Sequence, residues 1–202
     1  INPILVSDAI NNTFCTGENI NFTVTFPLVG ITNYRFTGNG GRLIQTGPSN
    51  TTSDTALSNN EIIRVELTLA TGCTAVATLT MIENIVAAGT ISPANQTICS
   101  GASPTILTGT ASPSFTAGAT VTYEWQSSTA FDGFTSVYSR NLAATENYQP
   151  GILTQNTQFR RVDLIELNNK TCSDTTNVIT VNISAGPGGD LWMNIPSTGV
   201  NS

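Results

Sequence analysis

The sequence contains no histidine and little charge of either sign. Charged residues make up 10% of its 202 residues, whereas about 25% is usual for a soluble domain. Without histidine, the chain cannot assemble a Ser-His-Asp or Cys-His catalytic set or a histidine-ligated metal site. The acidic residues show neither a calcium-loop pattern nor closely paired carboxylates. We therefore expect a protein that is not an enzyme and has no cofactor.

The sequence also lacks the features needed to bind nucleic acid or to insert into a membrane. The net charge is −6, and the seven basic residues are scattered, with only Arg160 and Arg161 adjacent. A nucleic-acid-binding surface needs a clustered basic face. No apolar run approaches the roughly 20 residues that a membrane-spanning helix requires. We expect neither nucleic-acid binding nor membrane insertion.

Threonine, asparagine, serine and glycine supply most of the polarity instead. Threonine alone accounts for 33 residues, and it favours strands, while the other three favour turns. Apolar residues alternate over short stretches, as at Ile20, Phe22 and Val24, which predicts half-buried strands. Glu61–Ala70 contains several helix formers, but its β-branched residues favour a strand. The pattern predicts an all-β fold.

The sequence also repeats itself. TFCTG at 13–17 recurs as TICSG at 97–101. In each half of the chain, the stretch is followed by a Thr-rich strand, an aromatic strand, a strand containing Arg-Val and a second cysteine. The aromatic strands are NYRF at 33–36 and TYEW at 122–125. Several matches in one order predict two tandem units.

Each unit shows several short strands separated by turns, which is typical of an immunoglobulin-like sandwich. We predict two tandem immunoglobulin-like β-sandwich domains, at 1–86 and 87–184. Residues 185–202 would be the start of a truncated third repeat or a linker. Trp125 is the expected core aromatic residue of the second domain, and Phe36 that of the first. We expect the chain to be a segment of a longer array.

The four cysteines are Cys15, Cys73, Cys99 and Cys172. No pair is spaced as C-x-x-C, and an even number in such a chain favours disulfides and an oxidising compartment. Three pairings are available, and four free thiols are the alternative. The repeat register predicts one disulfide within each domain, Cys15–Cys73 and Cys99–Cys172. In a simple immunoglobulin topology these partners would lie at opposite poles, so the prediction requires a departure from that topology.

An Asp-Gly dipeptide at 132–133 predicts a hairpin turn flanked by aromatic residues that face the core. The alternative is a ligand-binding aromatic patch formed by Phe131, Phe134 and Tyr138. Such a patch would be the candidate surface contact of the chain.

Two further kinds of site are candidates. Although no cofactor is expected, carboxylates such as Asp132 or Asp174 could hold a structural Ca²⁺. Thr55 and Thr175 each follow an aspartate and precede a small residue. This tripeptide resembles the O-glycosylation signal of secreted Bacteroidota proteins, which makes both threonines candidate glycan sites.

The second half carries a more specific resemblance. Its motifs are QTICSG, LTGTA, Y-x-WQSST, YQPG-x-LTQ-x-T-x-FRRV and C-S-x-T-x-NVITV, within residues 91–183. Together they resemble the Ig/PKD-like repeats of giant cell-surface adhesins of gliding flavobacteria. The first half keeps CTGENINFTV but lacks the WQSST and QPG-x-LTQ segments.

The resemblance implies type IX secretion and an extracellular, outer-membrane-attached protein of gliding motility. The expected partners are neighbouring repeats of the same polypeptide and a substratum or surface polysaccharide. We therefore expect a non-enzymatic segment of an adhesin filament that serves as stalk and adhesive surface. The alternatives are a carbohydrate- or surface-binding module, or accessory domains of a secreted enzyme.

Overall fold

The computed structural model describes residues 2–25, 29–129, 133–138 and 147–184. We call Leu5–Asn84 the N-terminal half and Val86–Ser184 the C-terminal half. The strands of the N-terminal half are β1 Leu5–Ser7, β2 Thr13–Cys15, β3 Ile20–Val24, β4 Ile31–Thr37, β5 Leu43–Gly47, β6 Thr51–Asp54, β7 Glu61–Leu69 and β8 Thr74–Asn84, and its short 3-10 helices are Ile10–Asn12 and Asn39–Gly41.

The strands of the C-terminal half begin in the segment that follows Asn84. They are β9 Val86–Ala87, β10 Thr90–Ser92, β11 Gln96–Cys99, β12 Thr108–Ala111, β13 Ser114–Phe115, β14 Thr120–Thr129, β15 Thr135–Tyr138, β16 Thr157–Leu167, β17 Lys170–Thr175 and β18 Ile179–Ser184. The described residues are thus almost entirely strands and turns, as the composition predicts.

The larger sheets of the two halves have the same order. In the N-terminal half it is β2-β8-β7-β4-β5, and in the C-terminal half it is β11-β18-β16-β14-β15, with β17 also paired to β16. In each, an edge strand runs parallel to the last strand of its half, β2 to β8 and β11 to β18. TFCTG and TICSG therefore occupy equivalent places, as their similarity predicts. Smaller sheets, β1-β3-β6, β10-β12 and β13-β9, complete the layers.

The alternating apolar residues form two separate cores. Ile20, Phe22 and Val24 lie in the first core together with Phe36, whose side chain is fully buried. The second core surrounds Trp125, which is also fully buried, and the two clusters share no residue. Both predicted core aromatic residues are confirmed.

The segment with helix-forming residues is the strand β7, as predicted. Ile63, Val65 and Leu67 point into the first core, while Ile62 is exposed. This two-residue period matches a sheet with one face against the core.

The predicted disulfide pairs are wrong, because the disulfide joins Cys15 to Cys172, with 5.6 Å between their Cα atoms. Cys73 and Cys99 are free and exposed. The parallel pairing of β2 with β8 places Cys15 opposite Asn84. Cys73 precedes the other end of β8, so at about 3.3 Å per residue the two cysteines lie about 36 Å apart. A disulfide requires Cα atoms within about 7 Å.

The same constraint excludes the second predicted pair. Cys99 lies opposite Ser184, the last residue of β18. Cys172 lies opposite Ile165, whereas β18 pairs with the start of β16, around Thr157. Cys99 and Cys172 are therefore at opposite ends of the sheet.

Trp125→Ala should remove the largest buried side chain of the second core, at a cost of about 3–5 kcal/mol. Because the cores share no residue, we expect hydrogen exchange to accelerate in β14, β16 and β18 while β4 and β7 stay protected. Phe36→Ala, the matched variant in the first core, should give the converse pattern. Equal loss of protection in both halves from either variant would contradict separate cores.

Candidate functional site at the junction of the two halves

The hairpin of β16 and β17 reaches the N-terminal half with its turn. Asn168 and Asn169 form that turn with φ of 52° and 65°, the positive values that a two-residue hairpin turn of type I′ requires. Asn168 Nδ2 donates to Thr13 Oγ1 at 3.0 Å, and Asn11 Nδ2 donates to the Asn168 carbonyl at 2.9 Å. The turn is therefore held from both sides by residues next to β2.

Asn84 holds both strands of this hairpin. It is the last residue of β8 and fully buried. Its Nδ2 donates to the carbonyl oxygens of Ile165 and Lys170, each at 3.0 Å. Because a buried carbonyl that loses its donor costs about 1–3 kcal/mol, we expect the amide of Asn84 to stabilise the contact between the halves.

The disulfide lies beside these hydrogen bonds. Cys15 is opposite Asn84 in the parallel ladder, and Cys172 is buried in β17, opposite Ile165. The bond joins residues separated by 157 positions. In the chain-entropy account, a loop of this length stabilises the folded state by about 5 kcal/mol. The covalent bond thus connects the halves where their hydrogen bonds already converge.

An ion pair lies next to the disulfide. Lys170 Nζ donates to Glu18 Oε1 at 2.6 Å, and the backbone N–H of Cys15 donates to Glu18 Oε2 at 2.9 Å. Burial alone would raise the pKa of Glu18, but these two hydrogen bonds and the charge of Lys170 outweigh it and hold the pKa below its usual value. Since the pair is partly exposed, its contribution to stability is small.

The first residues of the C-terminal half, which follow the end of β8, are fixed to β16 and β17 by hydrogen bonds from their backbone N–H groups. The N–H of Ala88 donates to Asp174 Oδ2 at 2.9 Å, and that of Gly89 donates to Asp163 Oδ2 at 2.8 Å. A side chain at Gly89 would overlap the carbonyl of Ala111. The connection is therefore a packed segment rather than a free linker.

A buried ion pair supports this segment. Arg161 and Asp163 are both fully buried, and Arg161 Nε donates to Asp163 Oδ1 at 2.6 Å. Arg161 Nη2 donates to the other carboxylate oxygen at 3.1 Å, and its guanidinium lies 4.3 Å from the centre of the Tyr123 ring. Buried charges are tolerated when such a two-bond fork satisfies them. Asp163 is thereby fixed in the position that accepts the N–H of Gly89.

The predicted aromatic patch is described only in part. Phe134 is half-buried, and the guanidinium of Arg160 covers its ring at 4.1 Å from the centroid. Arg160 Nε also donates to Gln126 Oε1 at 2.8 Å. Phe131 and the side chain of Tyr138 lie outside the described residues. The one described ring of the patch thus has a face already occupied by a cation.

The other predicted sites lie apart from one another. Thr55 and Thr175 are exposed, and they stay candidate glycan sites. Asp174 accepts the N–H of Ala88, while Asp132 is outside the described residues. Within the described ranges, no three acidic or cysteine side chains come together as metal ligands.

The described ranges also include no helix with the length and apolar character needed to cross a membrane.

Comparison with known proteins gives a likeness over the second half of the chain. A family model described as "Domain of unknown function (DUF8696)" matches residues 87–185. No curated protein matches the chain.

Three solved structures align with most of this chain. One contains three N-terminal domains of the Highly Immunogenic Outer Capsid protein (Hoc) of bacteriophage RB49, with a TM-score of 0.56 and 12% identity over 91% of this chain and 70% of that chain. A second contains fibronectin(III)-like modules of Clostridium thermocellum CbhA, with a TM-score of 0.45 and 15% identity over 89% and 95% of the two chains. A third contains the N-terminal eight Ig domains of Down Syndrome Cell Adhesion Molecule, with a TM-score of 0.42 and 9% identity over 91% and 25%. The fold is all-β, and its neighbours include immunoglobulin and fibronectin-III-like domains.

Asn84→Ala should loosen the β16–β17 hairpin from the N-terminal half, since the carbonyls of Ile165 and Lys170 lose their shared donor. We expect a loss of about 1–3 kcal/mol and faster reduction of the disulfide by dithiothreitol, because buried Cys172 becomes accessible. Asn156→Ala is the control, since it removes a single hydrogen bond, to the N–H of Ile183, outside the junction. Reduction of the Asn84 variant at the wild-type rate would show that the amide does not hold the hairpin.

Acid should weaken the junction through Glu18. Its pKa in the folded chain lies below the ordinary value of 4.5, so its stabilising contribution is present above about that pH and is lost as the pH falls through the folded pKa. The protection factors of the Cys15 amide and of the amides in the β16–β17 turn, which already correct for the intrinsic pH dependence of exchange, should fall in that acidic window. Glu18→Gln should abolish this dependence, and an unchanged pH profile in the variant would assign the effect to another group.

Proposed function

We propose that this chain is a non-enzymatic part of an extracellular surface protein, in which two tandem immunoglobulin-like units act as a stalk. The stalk would span distance and carry tension between a cell and the surface that it grips. The observation that carries this proposal is the junction, where a disulfide, the amide of Asn84 and the hairpin turn join the two halves end to end.

The arrangement of the strands supports two units. The larger sheets have the same order, the apolar cores share no residue, and the matched family model covers 87–185, close to the C-terminal half. Units that repeat along a chain and contact their neighbours at their ends are suited to building long structures.

The chemistry of the junction supports an extracellular location. A disulfide persists in an oxidising compartment and is rare in a reducing cytosol. The motif resemblance extends the proposal to an outer-membrane-attached adhesin of gliding bacteria, exported by the type IX route. Its partners would then be neighbouring repeats and a substratum or surface polysaccharide.

The disulfide is a second covalent connection across the junction, in addition to the backbone, and it can bear tension. Force applied to the chain termini passes from Cys15 directly to Cys172, so the backbone between these residues is shielded while the bond is intact. If the units unfold under load, the backbone between Cys15 and Cys172 still adds nothing to the end-to-end length of the chain while the disulfide is intact. Such a limit on extension suits a stalk that must keep a fixed reach.

Single-molecule pulling between the two chain termini tests this role. At about 3.5 Å per extended residue, the segment between the cysteines corresponds to about 550 Å. We expect that length to be hidden in the oxidised chain and released after reduction or in the Cys15→Ser/Cys172→Ser variant. Its release from the oxidised wild type would show that the bond does not carry the load.

A glycan array tests the competing role of a carbohydrate-binding module. A stalk segment should show no saturable binding, and the cation over Phe134 agrees with this expectation. Saturable binding that is lost in Phe134→Ala, but kept in the core variant Phe36→Ala under folding conditions, would replace the stalk proposal with a binding module.

A further inference from the structure

The two free cysteines lie far from the junction in space, each at the outer end of its own half. Cys73 follows the turn between β7 and β8, where the Leu69 N–H donates to the Cys73 carbonyl at 2.9 Å. Cys99 ends β11 beside Ser184, at the far end of the C-terminal half. Both cysteines are exposed.

Cys99 is the structural equivalent of Cys15. Each ends an edge strand that runs parallel to the last strand of its half. Each is also followed by the same turn, in which its carbonyl accepts an N–H three residues later, from Glu18 at 3.0 Å and from Ala102 at 3.1 Å. The turns have a glycine at positive φ in the same place, Gly17 at 76° and Gly101 at 83°.

Cys73 corresponds to Cys172. Both follow the hairpin turn that closes the central strand of the larger sheet, β7 in one half and β16 in the other. Cys73 comes just before β8, and Cys172 lies in β17. Both hairpin cysteines are thus at the end of their half that faces away from its edge-strand cysteine.

The observed disulfide therefore follows a rule that the free cysteines can also satisfy. It joins the edge-strand cysteine of one half to the hairpin cysteine of the half after it. We propose that Cys99 bonds in the same way to the hairpin cysteine of a following unit of this repeat type, and that Cys73 bonds to the edge-strand cysteine of a preceding unit. Each unit would then be joined covalently to both neighbours. This proposal rests on the tandem arrangement proposed above and is independent of adhesion.

The two segments that carry the free cysteines are compatible in charge. The hairpin segment at 70–74 reads ATGCT, and the edge-strand segment at 97–103 reads TICSGAS. Neither contains a charged residue, so their approach buries no unpaired charge and meets no repulsion between like charges. At the internal junction, by contrast, Glu18 and Lys170 must be brought together as a pair.

The chemistry is oxidation of two thiols. The Cys99 and Cys73 thiols lose two protons and two electrons and form one S–S bond. A disulfide oxidant such as oxidised glutathione accepts the electrons and protons and becomes two thiols, through a mixed disulfide with one cysteine. Exposure of both sulfurs allows this exchange.

A second copy of the full chain presents both complementary ends and is the probe. Cys73→Ser keeps only Cys99 free, and Cys99→Ser keeps only Cys73, while Cys15–Cys172 is intact in both. In a glutathione redox buffer, an equimolar mixture should form a covalent dimer about tenfold faster than either variant alone, the preference that a complementary contact of about 1.4 kcal/mol provides. A non-reducing peptide map should show a Cys73–Cys99 link, and the wild type should form longer covalent oligomers.

Two results would overturn the proposal. Either variant alone could dimerise as fast as the mixture, or both cysteines could end as glutathione adducts without a cross-link. The pulling experiment depends on Cys15–Cys172 and not on these thiols, so its failure would affect the stalk proposal without deciding this one.

Discussion

The parallel pairing of β2 with β8 is the constraint on which the junction depends. It places Cys15 opposite Asn84, at the end of β8 that leads into the second half. At this end, the disulfide, the Asn84 amide and the ion pair of Glu18 can all reach the same β16–β17 hairpin. Had the edge strand run antiparallel over the same three residues, Cys15 would face Ile82 instead, about 7 Å farther from the hairpin that holds Cys172.

Neutral side chains, rather than charged ones, make most of the side-chain hydrogen bonds found between the described parts of the two halves. Asn84 and Asn168 donate hydrogen bonds directly between the halves, and the hydroxyl of Thr116 donates to the carbonyl of Glu83. Neutral hydrogen bonds of this kind are little affected by salt, whereas an exposed ion pair is screened. A chain with few charges and many asparagines thus obtains a junction that tolerates changes in ionic strength.

Local patterns predicted the strands well, because alternation of Ile20, Phe22 and Val24 or burial of Trp125 depends on one strand and one core. The repeat register also identified Cys15 and Cys99 as equivalent. It could not identify disulfide partners, since similarity between units says nothing about which end of a sheet each cysteine occupies. That placement depends on pairings between distant segments, and the role of Asn84 depends on a carbonyl 81 residues away. The Asn-Asn turn was the local signal that could have drawn attention to the β16–β17 hairpin.

The Cys15–Cys172 disulfide also makes the chain a closed ring over most of its length. A protease that cuts once within the ring leaves every piece attached, because each fragment keeps a covalent path through the remaining backbone or the disulfide. If neighbouring units are joined by the same rule, successive rings would overlap, as the Cys99 bond begins before Cys172 is reached. A single break in the backbone inside any ring would then leave the filament continuous.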